Sequence, residues 1–146
     1  MNANVRLANE SDVKALAKLA DELIPMEDRK RREACLTDSI KDSKRDIYVV
    51  EIEGGLAGFL ELYTFPDFVH GGEIALIQNL AIAREYRGRG LGDELVVQAV
   101  KRAEERGALE VHAWTDFENK PAIGLYKKYG LAKEYLLLEK EFQKET

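Results

Sequence analysis

The stretch REYRGRGLGDEL, residues 84–95, places three arginines and three glycines directly before an amphipathic helical pattern. The first N–H groups of a helix have no partner within the helix, and the helix dipole adds partial positive charge there. Glycines remove the Cβ atoms that would keep a ligand away from the backbone, and arginines add charge-assisted hydrogen bonds. The stretch therefore predicts a loop and a helix start that hold a phosphate group.

Two common nucleotide-binding patterns do not fit this loop. A P-loop needs Gly-Lys followed by Ser or Thr, whereas Gly92 is followed by Asp93. The dinucleotide pattern GxGxxG fits Gly88 and Gly90, but its third glycine is replaced by Asp93. Three closely spaced glycines nevertheless indicate that a ligand approaches the backbone.

Composition limits the kind of protein and the kind of ligand. The 146 residues are enough for one domain, which we expect to span 1–146, and the net charge of −5 disfavours general nucleic-acid binding. No apolar run approaches the ~18 residues of a membrane span, and the N-terminus lacks a signal-peptide layout, so we expect a cytoplasmic protein and no membrane partner. Cys35 is the single cysteine, and His70 and His112 lack metal-ligand spacing, so no metal is expected.

Hydrophobic periodicity predicts a mixed α/β sandwich. Ser11 is the expected N-cap of the first helix, Pro25 ends it, and Glu53–Gly55 is the expected hairpin turn. Residues 64–72, TFPDFVHGG, are expected to form a loop. The predicted strands are residues 4–8, 47–52, 56–63, 73–82, 109–114 and 135–142. The predicted helices are residues 11–24, 27–43, 91–107 and 119–130.

Two motifs together resemble one enzyme family. Arg87-x-x-Gly90-x-Gly92, preceded by LAIAREY, is similar to the signature loop of the GNAT superfamily of acyl-CoA-dependent N-acetyltransferases. NKPAIGLYKKYG, residues 119–130, resembles the family's Asn-x-x-Ala-x-x-Leu-Tyr-x-x-x-Gly helix, although Leu131 stands where members usually have Phe. The resemblance implies an α/β (α+β) fold with a mixed, mostly antiparallel central sheet flanked by about four helices.

The resemblance also implies acetyl-CoA as cosubstrate and a direct transfer in which no enzyme residue is acetylated. Asn119 would contact the cofactor near the thioester, and the hydroxyl of Tyr126 would stand near its sulfur. Backbone groups in the strand before the loop would pair with the pantetheine arm: Leu80, Ala81 and Ile82. Backbone amides of the loop would cradle the pyrophosphate: Arg87, Gly88, Arg89, Gly90, Leu91, Gly92 and Asp93.

Plainer interpretations of these residues remain. Asn119 is also a suitable helix N-cap, which is compatible with a cofactor contact. Tyr126 has the helical spacing of a core aromatic residue. The arginines are also consistent with a solvated charged turn. A catalytically silent CoA-binding module that regulates a partner is the alternative function.

The general base that accepts the amine proton has several candidates. Many family members carry a glutamate in the middle of the strand before the glycine loop, where this chain has Gln78. The carboxylates that could act through water are, in order of preference, Glu73, Asp116 and Glu61.

The acceptor is expected to be a primary amine, either a small molecule or part of a peptide. The acidic residues Glu61, Asp67, Glu73 and Asp116 fall on elements that should surround the acceptor side of a GNAT-like fold. An acidic entrance attracts a protonated amine, so a cationic acceptor is predicted. A homodimer is left open.

Overall fold

A five-stranded sheet forms the centre of the protein. The computed structural model describes residues 2–142, and the strands lie in the order β1–β2–β3–β4–β5. Strands β1 to β4 pair antiparallel, and β4 and β5 pair parallel. The strands are β1 Ala3–Leu7, β2 Arg45–Ile52, β3 Gly55–Asp67, β4 Gly72–Ile82 and β5 Glu110–Ala113.

Four α-helices flank the sheet, which confirms the predicted mixed fold with a mostly antiparallel sheet. The helices are α1 Val13–Leu19, α2 Arg29–Lys41, α3 Leu91–Glu105 and α4 Lys120–Lys128. Short 3-10 turns span Glu10–Asp12, Ala20–Glu22 and Arg84–Tyr86. No helix within residues 2–142 is long and apolar enough to cross a membrane.

The two faces of the sheet bury separate cores. On β2, Val50 packs into the cluster formed with α3 and α4, whereas its neighbour Val49 packs into the cluster formed with α1. Successive side chains of a strand point to opposite faces, so a strand covered on both sides is apolar throughout. This arrangement explains the unbroken apolar run in β2.

The first helix starts differently from the prediction. Asn9, not Ser11, is the cap: its side chain accepts the Ser11 N–H, and Asp12 accepts the Asn9 N–H in return. The reciprocal pair forms a capping box around a 3-10 turn, after which α1 begins. The α-helix ends at Leu19 and tightens into a second 3-10 turn before Pro25.

Strand β3 is longer than predicted and includes residues 64–67, which were expected to be loop. The hairpin turn itself is confirmed, since Glu53 and Gly54 both have positive φ, 50° and 82°. β2 begins at Arg45, opposite Tyr63, so beyond Tyr63 strand β3 has only β4 as its sheet neighbour among the described residues. Proline is tolerated where one side of a strand is free, which allows Pro66 to pair with Glu73.

The predicted last strand, residues 135–142, is not a strand in the structure. Backbone hydrogen bonding to the body stops at Leu131, whose N–H donates to the Tyr126 carbonyl at 3.0 Å. Beyond it Leu136, Leu137 and Leu138 are 65%, 57% and 81% exposed. The β-rich composition supplies strand propensity but no hydrogen-bonding neighbour, and a strand needs both.

Candidate functional site

Strand β4 separates from β5 at a bulge. The last parallel pair joins Ile77 to Ala113, while β4 itself continues to Ile82. On the other side Leu62 pairs with Ile77 and Glu61 pairs with Asn79, so Gln78 is the extra residue. A bulge bends its strand and increases the local twist. The edge of β4 at residues 78–82 is therefore free of β5.

The free edge leads into the glycine loop. Gly88 and Gly90 have φ of 77° and 80°, a left-handed conformation that costs other residues ~1–2 kcal/mol. A Cβ built on either glycine would meet no atom within 4 Å. The first bond of α3 runs from the Glu94 N–H to the Gly90 carbonyl at 3.2 Å. The backbone N–H groups of the three preceding residues, 91–93, therefore have no carbonyl acceptor within the helix.

Gly92 has a packing role in addition to its expected contact with the cofactor. Its φ is not positive, and a Cβ there would lie 3.0 Å from Cδ2 of Leu125. The missing side chain lets α4 pack closely against the start of α3. Gly88 and Gly90 therefore shape the loop, and Gly92 allows the helix that carries Tyr126 to pack closely against α3.

Two charged side chains of the loop are held by the protein itself. Arg87 donates from Nε to the Ile82 carbonyl at 3.0 Å and from Nη2 to Glu22 at 3.1 Å, while its N–H bonds to Arg84. Asp93 accepts hydrogen bonds from Lys128 at 2.6 Å and from the Tyr129 hydroxyl at 2.7 Å. The hydrogen bond from Lys128, and to a smaller extent the one from Tyr129, lowers the pKa of Asp93. Both contacts of Asp93 tie α3 to α4.

Tyr126 lies in the core with a hydroxyl that is available to donate. The residue is 6% exposed, and its hydroxyl has no hydrogen-bond partner within residues 2–142. Burial raises the pKa of Tyr126 to about 12, so the hydroxyl stays protonated at neutral pH. Tyr126 is thus a buried core residue, as its helical spacing predicts. Its hydroxyl is also available for the cofactor contact that the family resemblance implies, and that contact stays a prediction.

Asn119 is the N-cap of α4. Its Oδ1 accepts the Ala122 N–H at 3.3 Å, and the side chain is exposed. The capping role is confirmed, and the contact with a cofactor stays a prediction. Asp116 is exposed in the same loop and accepts the Asn119 N–H through its carbonyl at 3.1 Å.

Of the candidate carboxylates, Glu61 lies at the bulge. It accepts from Arg45 Nη1 at 3.0 Å and from Asn79 Nδ2 at 2.9 Å. The side-chain oxygen of Gln78 accepts from the same Arg45 nitrogen at 2.6 Å. Glu73 lies near the other end of β4, six residues before Asn79, which is ~20 Å along an extended strand. The structure thus groups Glu61 with Gln78 and separates Glu73 from them.

A cavity of about 410 Å³ adjoins the bulge. It lies between the sheet and the segment from α1 to α2, and Glu61 and Asn79 are among its lining residues. The other lining residues are Leu16, Ala17, Ala20, Leu23, Ile24, Met26, Arg31, Arg32, Cys35, Leu36, Ser39, Ile47 and Phe59. Sequence reasoning missed this cavity, and the one available signal was the scarcity of apolar anchors in α2, where no residue is fully buried.

Residues 13–131 match the model of the acetyltransferase (GNAT) family, which covers more than half of the chain. The chain belongs to the GNAT family. Gln78, the expected counterpart of the family's mid-strand glutamate, is a bulge residue held by Arg45. Leu131 replaces the usual Phe and packs against the core on the α4 side.

Related proteins carry several acceptor names. A Bacillus subtilis protein named "putative ribosomal protein bS18-alanine N-acetyltransferase" is 39% identical over 83 residues, 57% of this chain and 51% of that protein. The chain spans between 25% and 51% of the length of four curated relatives that it matches.

Solved structures share the GNAT fold over nearly the whole chain. A transcriptional regulator from Bacillus halodurans C-125 gives a TM-score of 0.85 at 25% identity, covering 97% of this chain and 100% of that one. An aminoglycoside N-acetyltransferase in complex with CoA gives 0.84 at 16% identity, covering 96% and 95%.

Proposed function

We propose that this GNAT protein transfers an acetyl group from acetyl-CoA directly to a primary amine in a ternary complex. The observation that carries the proposal is the continuity of the free β4 edge, residues 78–82, with the left-handed glycine loop at the start of α3. An unpaired strand edge offers backbone N–H and C=O groups to the amides of a pantetheine arm. The helix start offers N–H groups to the pyrophosphate.

The binding site for the cofactor is centred on residues 88–93. The Arg87 N–H and the Ile82 carbonyl already have protein partners, so their predicted cofactor contacts require an exchange of hydrogen bonds. The Asp93 amide bonds to its own carboxylate, whereas the amides of Leu91 and Gly92 require no such exchange. The known complex of an aminoglycoside N-acetyltransferase with CoA, on the same fold, supports acetyl-CoA as the cosubstrate.

The reaction needs an acceptor for the amine proton. An alkyl amine has a pKa of ~10.4, so about one molecule in 2,500 is neutral at pH 7. The amine nitrogen attacks the thioester carbonyl carbon, the C–N bond forms, and the C–S bond breaks as the thiolate leaves with its electron pair. The proton lost by the amine passes to a carboxylate, directly or through water, and then to solvent or the thiolate.

Glu61 is the carboxylate that the geometry supports best for this step. It borders the cavity beside Asn79, next to the free edge where the thioester would lie. It also shares Arg45 with Gln78, the position where related proteins carry a glutamate. Glu73 and Asp116 stay predictions, and neither borders this cavity.

Tyr126 stabilises the departing thiolate by donating a hydrogen bond and retains its own proton. Its pKa is about 12, whereas a thiol has a pKa of ~8.5, so full proton transfer from the tyrosine would be uphill by ~5 kcal/mol. A charge-assisted hydrogen bond carries no such cost. The unpaired state of the hydroxyl in the described chain leaves it available for this contact.

Steady-state kinetics on four variants test these roles. Tyr126→Phe should lower kcat by ~10²-fold with an unchanged Kd for CoA, because the lost bond acts on the leaving group. Glu61→Gln should lower kcat/KM for the amine by at least ~10², and Glu73→Gln and Asp116→Asn serve as matched charge-removal comparisons. Unaltered turnover in Tyr126→Phe, with chemistry rate-limiting, would remove the tyrosine from the mechanism.

The alternative of a silent regulatory module has no supporting observation in the structure. Tight CoA binding without acetylation across a broad amine and peptide panel would favour it over catalysis. The acceptor is proposed to be a small amine or a peptide amine; the Bacillus subtilis relative is named for alanine and the solved CoA complex for aminoglycosides.

Assembly and domain extent stay predictions. We expect residues 1–146 to unfold as one domain. The exposed side chains of Leu136–Leu138 provide a physical reason for the homodimer left open by the sequence. Sedimentation equilibrium of the full chain tests the dimer, and a single mass of 16.5 kDa at all concentrations would exclude it.

A further inference from the structure

The cavity at the bulge restricts which amine the protein accepts. This inference rests on the proposed function, because it takes the Glu61 end of the cavity as the place where the amine meets the thioester. Apart from Glu61 and Asn79, the lining residues come from α1, α2, the segment between them, and Ile47 and Phe59 of the sheet. Most of these side chains are apolar, with Leu16, Ala20, Leu36 and Phe59 among them.

Three polar side chains along the cavity, those of Arg32, Glu61 and Asn79, already have hydrogen-bond partners in the protein. Arg32 donates to Asp21 at 2.7 Å and to the carbonyls of Ala17 and Ile24. The Glu61 carboxylate, which already accepts from Arg45, is the one acidic side chain among the described lining residues, and Arg31 and Arg32 border the cavity as cations. We expect one ammonium group to pair with Glu61, while a second would face apolar walls and cationic arginines.

Energetics then distinguish apolar from polar acceptors. Each methylene group moved from water to an apolar wall favours binding. A buried hydroxyl without a partner disfavours binding, and an unpaired ammonium does so more strongly. A volume of about 410 Å³ lies within the usual range for small-ligand sites.

We propose that the acceptor is a primary amine whose single ammonium group lies at Glu61 and whose apolar body fills the cavity between the sheet, α1 and α2. Two sources supply this chemistry: a free apolar monoamine, or the N-terminal residue of a peptide with an apolar side chain. Polyhydroxylated amines and polyamines are poor acceptors for this cavity.

Acetylation rates on a panel of apolar and polar amines and peptides test the proposal. We expect kcat/KM for 3-methylbutylamine, or for a tetrapeptide with N-terminal Leu, to exceed by at least ~10-fold the values for 1,4-diaminobutane, for glucosamine and for the same peptide with N-terminal Ser. The ratio of the rates for 3-methylbutylamine and for the peptide with N-terminal Leu shows whether the acceptor is a free amine or a peptide N-terminus. Higher rates with diaminobutane or glucosamine overturn the inference while leaving the proposed function intact.

A cavity-filling variant provides the matched control. Ala20→Leu adds a side chain to the cavity wall, whereas Ala15→Leu adds the same side chain at an exposed position of α1. Ala20→Leu should lower kcat/KM for the favoured acceptor by ~10-fold or more and leave the Kd for CoA unchanged. Ala15→Leu should change neither.

Calorimetry of the favoured acceptor on the CoA-bound protein adds a readout independent of turnover. Binding should show a negative heat-capacity change that decreases in magnitude in Ala20→Leu. Equal acetylation rates and equal acceptor binding in Ala20→Leu and Ala15→Leu overturn the inference. Failure of every amine in the panel, polar or apolar, instead overturns the proposed function.

Discussion

Gly90 should control CoA affinity through its missing side chain. At φ 80° an alanine costs ~1–2 kcal/mol of stability, and its Cβ would meet no protein atom within 4 Å. The Cβ would instead occupy the space in front of the first amides of α3. Losing one charge-assisted hydrogen bond of ~1.5–3 kcal/mol to the pyrophosphate raises the Kd for CoA about 10- to 10²-fold in Gly90→Ala.

Gly107, at the other end of α3, is the matched control. It has φ 75° and also has no atom within 4 Å of a built Cβ, so Gly107→Ala should lose comparable stability. The fifteen residues of α3 place it ~22 Å from Gly90, away from the cofactor. Calorimetric titration with CoA and urea unfolding of both variants give the comparison. Equal Kd values for the two variants and the unaltered protein would refute a pyrophosphate site at this loop.

Three further substitutions test the packing and electrostatics that hold the site. Gly92→Ala should lose ~1 kcal/mol because its Cβ would lie 3.0 Å from Leu125 Cδ2; a double-mutant cycle with Leu125→Ala, followed by urea unfolding, should show coupling, and additive effects would contradict the contact. Thr64→Val should raise stability by ~1 kcal/mol because the buried Thr64 hydroxyl has no partner, and a lower urea midpoint would contradict this. The hydrogen bond from Arg6 lowers the pKa of Asp12 from its ordinary value of 3.8, so the stability that it contributes is present above that value and is lost as pH falls through the lower folded pKa. The stability difference from Asp12→Asn should therefore shrink as pH falls below 3.8, and a constant difference would contradict the assignment.

The phosphate loop and the helix that carries Tyr126 could be predicted because their signals are local. A glycine with positive φ, a helix N-cap and a helical apolar stripe are each set by residues within one or two turns. The predicted cap at Asn119 and the end of α3 near Gly107 agree with the structure for this reason. The error at Ser11 is also local, since Asn9 competes for the same amide two residues earlier.

Features that depend on strand pairing were not predictable in this way. The extension of β3 past Tyr63 depends on where β2 begins, and within residues 2–142 the segment 135–142 pairs with no strand despite its β-rich composition. The preference for Glu73 over Glu61 rested on Glu73 lying on the same strand as Gln78, and it stays a prediction. The bulge, which aligns Glu61 with Asn79 across two strands, could not be read from the sequence.

The bulge at Gln78 leads to a charge-exchange test of the general base. Glu61 and Gln78 contact the same Arg45 nitrogen at 3.0 and 2.6 Å, so a carboxylate at either position would lie beside the same end of the cavity. Glu61→Gln should lose activity, and adding Gln78→Glu to that variant should restore at least a tenth of it.

Gln78→Glu alone places two carboxylates at one arginine. Their repulsion should raise the pKa of one of them and move the acidic limb of the pH–rate profile upward. Asn4→Asp, at an exposed position on the far strand β1, adds the same charge and should leave the profile unchanged. If the double variant is as slow as Glu61→Gln, then the proton leaves the amine by another route, and Arg45 holds Glu61 and Gln78 for packing alone.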